Sequence, residues 1–187
     1  MKIGRESRTK IIHIAEDDED IAQIYTMALK DSGYKVKLVD NGEDCAKVYL
    51  DNFQELRLLK SKGIAVDNYK NQPFEVVILD YKMPKRDGLQ VAKEVLAVNP
   101  HQRIIFASAY TREILMDSVK ELKQVVELLQ KPFSLHTLLD TIQDKHVYEQ
   151  LKCYRLDTAL LEKAELNHEQ LVELLNTMKR IGESRTN

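Results

Sequence analysis

Short apolar runs alternate with amphipathic stretches along most of this chain. Lys10–Ala15 is rich in isoleucine and predicts a strand. Ile21, Ile24, Tyr25, Ala28 and Leu29 then recur at helical spacing, and Gly33 is placed to stop that helix. Val36–Val39 predicts a second strand, and Asn41-Gly42 reads as a turn. A longer helix follows, with Cys45, Val48, Tyr49, Phe53, Leu56 and Leu59 on one side. Phe74–Asp80 is almost continuously apolar, which suits a central strand buried on both faces. Asp87-Gly88 opens the next helix, carrying Leu89, Ala92, Val95 and Leu96, and Asn99-Pro100 ends it. Arg103–Ala107 predicts a fourth strand, Thr111–Leu122 a helix and Val125–Gln130 a fifth strand. Ser134 can cap a last helix bearing Leu135, Leu138, Leu139 and Ile142.

The pattern is a strand followed by a helix, five times over. Parallel neighbours need crossover connections, so strict alternation predicts an α/β fold: a doubly wound parallel sheet with helices on both faces. In such sheets chemistry gathers at the carboxyl ends of the strands, near the point where strand order reverses. Strand one ends in Glu16, Asp17, Asp18, Glu19 and Asp20, and strand three in Asp80. Strand four ends in Ser108, and strand five in Lys131 followed by Pro132.

Each piece alone has a plain structural reading. Acids after a strand suit a helix N-terminus, a strand-end Asp suits a turn, and Lys-Pro suits a loop. Together they place carboxylates, a hydroxyl and an ammonium on one rim. Crowded carboxylates repel one another unless a cation sits among them. Hard oxygen ligands of this kind suit Mg²⁺, which keeps some of its waters. An ionised Asp can attack phosphorus when a metal and a fixed cation offset the growing charge on the phosphoryl oxygens. Lys131 can supply that cation, and Ser108 a hydrogen bond to the same group.

Glu16-Asp17-Asp18, VVILDYKMPKRDG (residues 76–88), IIFASAY (104–110) and Lys131-Pro132-Phe133 resemble the signature of response-regulator receiver domains of two-component systems, the chemotaxis-regulator-like kind. The resemblance covers residues 10 to 145. It implies a flavodoxin-like five-stranded sheet of order 2-1-3-4-5 and a phosphorylation switch fed by a sensor histidine kinase or a small phosphodonor. It further implies Asp80 as phosphoacceptor, and Glu16, Asp17 and Asp80 as Mg²⁺ ligands with the backbone carbonyl of Lys82. Ser108 and Lys131 would assist the transfer, and the Lys131–Pro132 peptide would be cis. Asp18, beside the acidic pair, is a secondary candidate.

Departures from the family pattern mark what is particular to this chain. The family's usual aromatic three residues before the lysine, which rotates inward on activation, is Leu128 here, so its coupling is either absent or carried by another residue; Tyr110 is one candidate, although its plain reading is an ordinary exposed tyrosine. Lys82 and Tyr110 stand two residues after the acceptor and the hydroxyl residue, where the family tunes water access to the phosphoryl group. Both are bulky, which predicts slow self-dephosphorylation. The segment 42–73 is longer than usual and ends in a polar stretch, SKGIAVDNYKNQP.

The chain has 187 residues, room for one domain and a modest extension. The reading is a tail at 1–9, a receiver domain at 10–145 and a helical extension at 146–187. Val147, Leu151 and Tyr154 continue the helical pattern. Asp157 is placed to cap a short helix bearing Leu160, Leu161 and Ala164. Asn167 and Gln170 open a helix with Leu171, Leu174, Leu175, Met178 and Ile181 on one stripe. Such helices pack on the receiver, form a homodimer, or bind a downstream partner. The formal net charge is −2, and Lys179, Arg180 and Arg185 are too few for a basic recognition helix, so nucleic acid is not expected as a partner.

No segment has the length to span a bilayer, and the apolar run IIHIA leads straight into acids, so it makes no signal core. Cys45 and Cys153 lack paired zinc spacing and read as thiols in a reducing compartment, so a cytoplasmic protein is expected. Rival readings are a transcription regulator whose C-terminal helices bind DNA, a receiver-like scaffold that is never phosphorylated, and a Mg²⁺-dependent phosphatase with an Asp nucleophile. The last class looks for an acid two residues after the nucleophile, where this chain has Lys82. A switch promotes only its own phosphorylation and dephosphorylation and is not counted as an enzyme.

Overall fold

The computed structural model describes residues 10–63, 72–111, 115, 119–122 and 126–143, and the isolated positions 174, 177 and 178. The strands are β1 (Ile11–Ala15), β2 (Lys35–Val39), β3 (Val76–Asp80), β4 (Ile104–Ser108) and β5 (Glu127–Gln130). The helices are α1 (Glu19–Asp31), α2 (Gly42–Ser61), α3 (Gly88–Val98) and α4 (Leu135–Gln143), with a short 3₁₀ turn at Lys120–Leu122. The five strands form one parallel sheet in the order β2-β1-β3-β4-β5. Strand order therefore reverses between β1 and β3, the place where doubly wound sheets carry their sites. The chain divides into two compact units, Met1–Pro132 and Phe133–Asn187. The sheet lies in the first and α4 in the second.

Alternation along the strands sends side chains to opposite faces. Ala15, Val77, Leu79, Ile104 and Phe106 join Cys45 and Tyr49 of α2 and Val91, Ala92 and Val95 of α3 in one buried cluster. Ile12, Ile14, Ile78 and Ile105, also buried, alternate to the other face. Helix α1 buries Ala22, Tyr25 and Leu29, a stripe at spacings of three and four. Helices α2 and α3 pack against each other. A polar lock ties α2 to the segment before β4: the Tyr49 hydroxyl donates to Gln102 Oε1 at 3.0 Å and accepts from Asn99 Nδ2 at 3.1 Å.

Element ends follow local chemistry. Asp18 caps α1 and Asn41 caps α2 by accepting from the backbone N–H three residues on. Asp87 and Gln90 close a reciprocal capping box at the start of α3. Gly33 takes the left-handed conformation (φ 85°) that ends the first helical segment. Ser134 Oγ accepts from Thr137 N at the start of α4, as its sequence position predicts.

Several expectations shift. Asn41-Gly42 is a helix start rather than a free turn, because the Asn side chain finds an orphan N–H to accept from. Strand β3 begins at Val76 rather than Phe74, and β4 runs one residue later than read; β5 is Glu127–Gln130, and the expected start at Val125 lies outside the described residues. Apolar residues beside a strand look like strand in sequence, but the ladder stops where the neighbour's register stops. In the expected helix at 111–122, Leu115 and Val119 are helical and 120–122 form the 3₁₀ turn; the remainder lies outside the described residues. Leu174, Thr177 and Met178 are helical, and the other expected helical positions beyond residue 143 lie outside the described residues, as does Cys153. Among the described residues, no helix is long and apolar enough to cross a membrane.

Candidate functional site

Four strand ends build the site. β1 delivers Glu16 and Asp17, and Glu16 N still donates to Val39 O of β2, so the ladder carries past the strand and fixes the first acid. Glu16 is buried at 3 % exposure, whereas Asp17 is exposed. β3 delivers Asp80, a mostly buried carboxylate. One carboxylate oxygen from each of Glu16, Asp17 and Asp80 lies within 4.8 Å of the others. Asp18 is not part of this cluster; its side chain caps α1, accepting from Ile21 N at 3.0 Å.

Lys131 enters from the end of β5, directly before a cis peptide bond to Pro132. Its ammonium donates to both oxygens of Glu16, at 2.8 and 2.7 Å, and to Asp80 Oδ2 at 3.1 Å. Its backbone N–H donates to Ser108 O at 2.7 Å, which locks the end of β5 to the end of β4. Ser108 is fully buried one register position past Ala107, the partner of Asp80, and its Oγ accepts from Tyr110 N at 3.1 Å.

The loop after Asp80 is folded tightly. Lys82 N donates to Asp80 Oδ1 over a long 3.4 Å, and Gly88 N donates to Tyr81 O at 2.9 Å. An added Cβ at Gly88 would meet Asp80 O at 2.3 Å, so only glycine lets α3 start this close to the acid.

Among the described residues, three carboxylates meet beside Lys131, which pairs with two of them, Glu16 and Asp80. Glu16 shows the imbalance: burial lifts its pKa to about 7, opposed by Lys131 and reinforced by the charges of Asp80 and Asp17. The donor set is all oxygen, carries surplus negative charge and converges on one point. It fits a hard divalent cation such as Mg²⁺. Glu16, Asp17 and Asp80 are the side chains that would hold it.

Three residues around the site were not legible as site residues. Tyr25 of α1 is buried, and its phenol is held well above its usual pKa by burial and by the fields of Glu16, Asp80 and Asp18, which places it on the flank of the acids. Its sequence signal is merely a stripe position. Tyr81 makes edge contacts with Tyr110 (ring centroids 5.5 Å) and Phe106 (6.3 Å). Tyr110, 36 % exposed, therefore has an aromatic neighbour beside the acceptor loop, whereas Leu128 is a partly buried residue packed on the core. His13 sits wholly buried in β1, three residues before Glu16, stacked on Phe74 at 4.7 Å.

A family model for the response regulator receiver domain matches residues 48–143. The chain belongs to the response regulator receiver family. The match begins inside α2, so Glu16 and Asp17 join the rest of the site through the fold rather than through the matched segment. The response regulator receiver protein CpdR of Brucella abortus is 25 % identical over 134 residues, 72 % of this chain and 94 % of that protein. The transcriptional regulatory protein RprY of Bacteroides fragilis is 28 % identical over 142 residues, 75 % of this chain and 50 % of its own length. The chain thus spans nearly all of one relative and half of another. A CheY-like receiver domain structure from Methanospirillum hungatei covers 73 % of this chain and 93 % of its own at 19 % identity, with a TM-score of 0.56. The CheX–CheY–BeF3–Mg complex of Borrelia burgdorferi covers 72 % and 87 % at 18 % identity, with a TM-score of 0.58. These two likenesses concern the fold, which is flavodoxin-like. Receiver domains are signalling switches of two-component systems and generally bind Mg²⁺ through acidic residues.

Proposed function

We propose that this chain is a phosphorylation-dependent switch that accepts a phosphoryl group on Asp80. The observation that carries the reading is the Lys131 ammonium lying between Glu16 and Asp80, with Asp17 completing a triangle of acids. That set offers a nucleophile, a fixed positive charge and ligands for a divalent cation within a few ångströms, which is what phosphoryl transfer asks of a protein.

The donor is a sensor kinase's phosphohistidine or a small acyl phosphate. A carboxylate oxygen of Asp80 attacks phosphorus. The bond from phosphorus to the donor breaks, its electron pair leaves with the donor's imidazole or carboxylate, and a mixed anhydride forms on Asp80. Mg²⁺, when bound by Glu16, Asp17, Asp80 and the Lys82 carbonyl, supplies charge neutralisation on the phosphoryl oxygens. Lys131 transfers its hydrogen bond from the Asp80 carboxylate to the new group, and Ser108 turns its hydroxyl toward it. The Ser108 hydroxyl now accepts from Tyr110 N, so drawing it inward loosens that contact and moves the Tyr110 segment. Two arrangements of the β4 end thereby acquire different energies, which is what a switch needs.

The protein is read as cytoplasmic, in keeping with the reduced, buried Cys45, whose thiol burial pushes up to about 12. The test is incubation of the full chain with acetyl phosphate and Mg²⁺, read by intact mass. Wild type gains one phosphoryl group; Asp80→Asn gains none. A wild type that stays at its original mass, with Mg²⁺ saturating, removes the proposal.

A further inference from the structure

The residues after Asp80 do not hang free. They form a loop, 81–87, closed at its base by the Gly88 N–H on Tyr81 O. The far side of this loop lies on the first turn of α2. Gly42 N donates to Pro84 O at 3.4 Å, and a Cβ added at Gly42 would sit 2.1 Å from Arg86 O and 2.8 Å from Arg86 C. Two backbones meet there with nothing between them. Close-packed backbone has no slack to absorb a shift, so it transmits one.

Side chains fasten the same contact. Lys85 takes a left-handed conformation (φ 65°), and its ammonium lies 3.6 Å from Glu43 Oε2 and 3.5 Å from Asp44 Oδ2. Arg86 turns the other way and donates to both oxygens of Glu94 on α3, at 2.7 and 2.8 Å. The loop is therefore held between the two helices. The Lys85 pairs are half exposed and contribute little stability by themselves. Their effect is directional: they set where the loop rests on α2.

The same turn of α2 also touches β1. His13 Nε2 lies 3.3 Å from Cys45 Sγ and 3.2 Å from Cys45 O, while Nδ1 contacts Lys37 O at 3.0 Å. His13 stands three residues before Glu16 on one short strand. The N-terminal turn of α2 thus bears on both chain segments that carry the acids: β1 with Glu16 and Asp17, and the β3 loop with Asp80 and Lys82. From that turn α2 runs for 20 residues, against 11 for its neighbour α3.

We propose that α2 is a regulatory arm of the phosphorylation site, with Gly42, Lys85 and His13 as the positioning residues through which its first turn sets the geometry of the acceptor loop. This deepens the phosphoacceptor reading of Asp80 and rests on it. A rotation of α2, applied anywhere along its rigid length, moves loop 81–87 relative to Glu16. Reacting groups misplaced by about an ångström lose rates by as much as about a hundredfold. The linkage works in reverse: a phosphoryl group on Asp80 changes the restraint on α2.

Two measurements on the full chain test the arm. In the first, backbone hydrogen exchange is followed with and without Mg²⁺ plus beryllofluoride. Exchange is expected to change across residues 42–61 as well as 80–88. In the second, Lys85→Gln and Gly42→Ala are phosphorylated by acetyl phosphate at saturating Mg²⁺. Lys85→Gln, a surface change that leaves the fold intact, is expected to slow phosphorylation about threefold to tenfold, and Gly42→Ala by more. A merely structural contact would lower the unfolding temperature and leave the rate per folded molecule unchanged. Exchange changes confined to 80–88, or a Lys85→Gln rate equal to wild type, overturn the arm while leaving the phosphoacceptor reading intact. A wild type that gains no mass removes both.

Discussion

Lys131 grips Glu16 through both carboxylate oxygens, at 2.8 and 2.7 Å, and reaches Asp80 with the same ammonium. The longer contact is the one to the proposed acceptor, 3.1 Å, so the lysine is held chiefly by the acid that is not phosphorylated. It can therefore change partners at Asp80 without leaving the site. Replacing it with methionine keeps the stem and deletes the charge. Lys131→Met is expected to lower the phosphorylation rate by about a hundredfold or more, since a fixed cation at the developing charge is lost. Mg²⁺ binding is expected to persist, because all three carboxylates remain. Quench-flow with acetyl phosphate and a calorimetric Mg²⁺ titration separate the two. A variant that loses Mg²⁺ binding and rate together would contradict this division of labour.

Glu16 gives the site a pH signature. Its pKa is raised from 4.5 to about 7, chiefly by burial. A group whose folded pKa is raised favours the native state while protonated, fully so below about 4.5, and loses that contribution as pH climbs through 7. In the absence of Mg²⁺, Glu16→Gln is therefore expected to gain stability on wild type between pH 5 and pH 8. Mg²⁺ requires the ionised carboxylate, so its stabilising effect on wild type grows over the same interval. Urea unfolding at several pH values, with and without Mg²⁺, measures both slopes. Parallel curves for the two proteins would contradict the assignment.

His13 acts in the opposite sense. Burial holds its pKa below 6.5, which favours the neutral ring, and its single N–H then serves either Lys37 O from Nδ1 or Cys45 O from Nε2. A depressed pKa contributes stability above 6.5 that is lost as pH falls toward the folded value. His13→Gln is expected to flatten this acid-side loss while costing about 1 to 3 kcal/mol at neutral pH, because the stacking on Phe74 goes with the ring. The difference between wild-type and variant unfolding free energies at pH 5 and pH 7.5 isolates it from the Glu16 effect.

Tyr110 and Tyr49 make a contrasting pair. Tyr110 lies two residues beyond Ser108 with its ring against Tyr81, beside the acceptor loop. Tyr110→Ala is expected to shorten the phosphoryl lifetime several-fold by opening the path for water, with little change in stability. Tyr49→Phe removes a buried hydroxyl that links Gln102 and Asn99 on the core side of α2. It is expected to cost about 1 to 3 kcal/mol of stability and to leave the phosphoryl lifetime unchanged. Decay of the phosphorylated mass after donor removal, and thermal unfolding of each variant, distinguish them.

The fold was open to reading because its signals are local. The runs ending at Ala15, Asp80 and Ser108 are largely apolar, and Asp87 and Ser134 announce helices by capping. The site was readable because a parallel sheet brings strand ends together whatever the intervening lengths, so Glu16 and Lys131 could be paired across 115 positions. What escaped depends on packing. Nothing in the order of residues shows that Asp18 spends its carboxylate on a helix cap, or that Gly42 lies against Arg86. His13 looked like one more strand residue, because the carbonyls and thiol that satisfy its ring come from β2 and α2.

The outermost strand of the sheet on the α1 side is β2, KVKLV. A bare strand border is a template on which a second molecule can continue the ladder. Lys35 and Lys37 stand exposed along it, and a copy arriving in register would bring its own lysines against them. Like charges at that seam oppose edge-to-edge pairing of two such sheets.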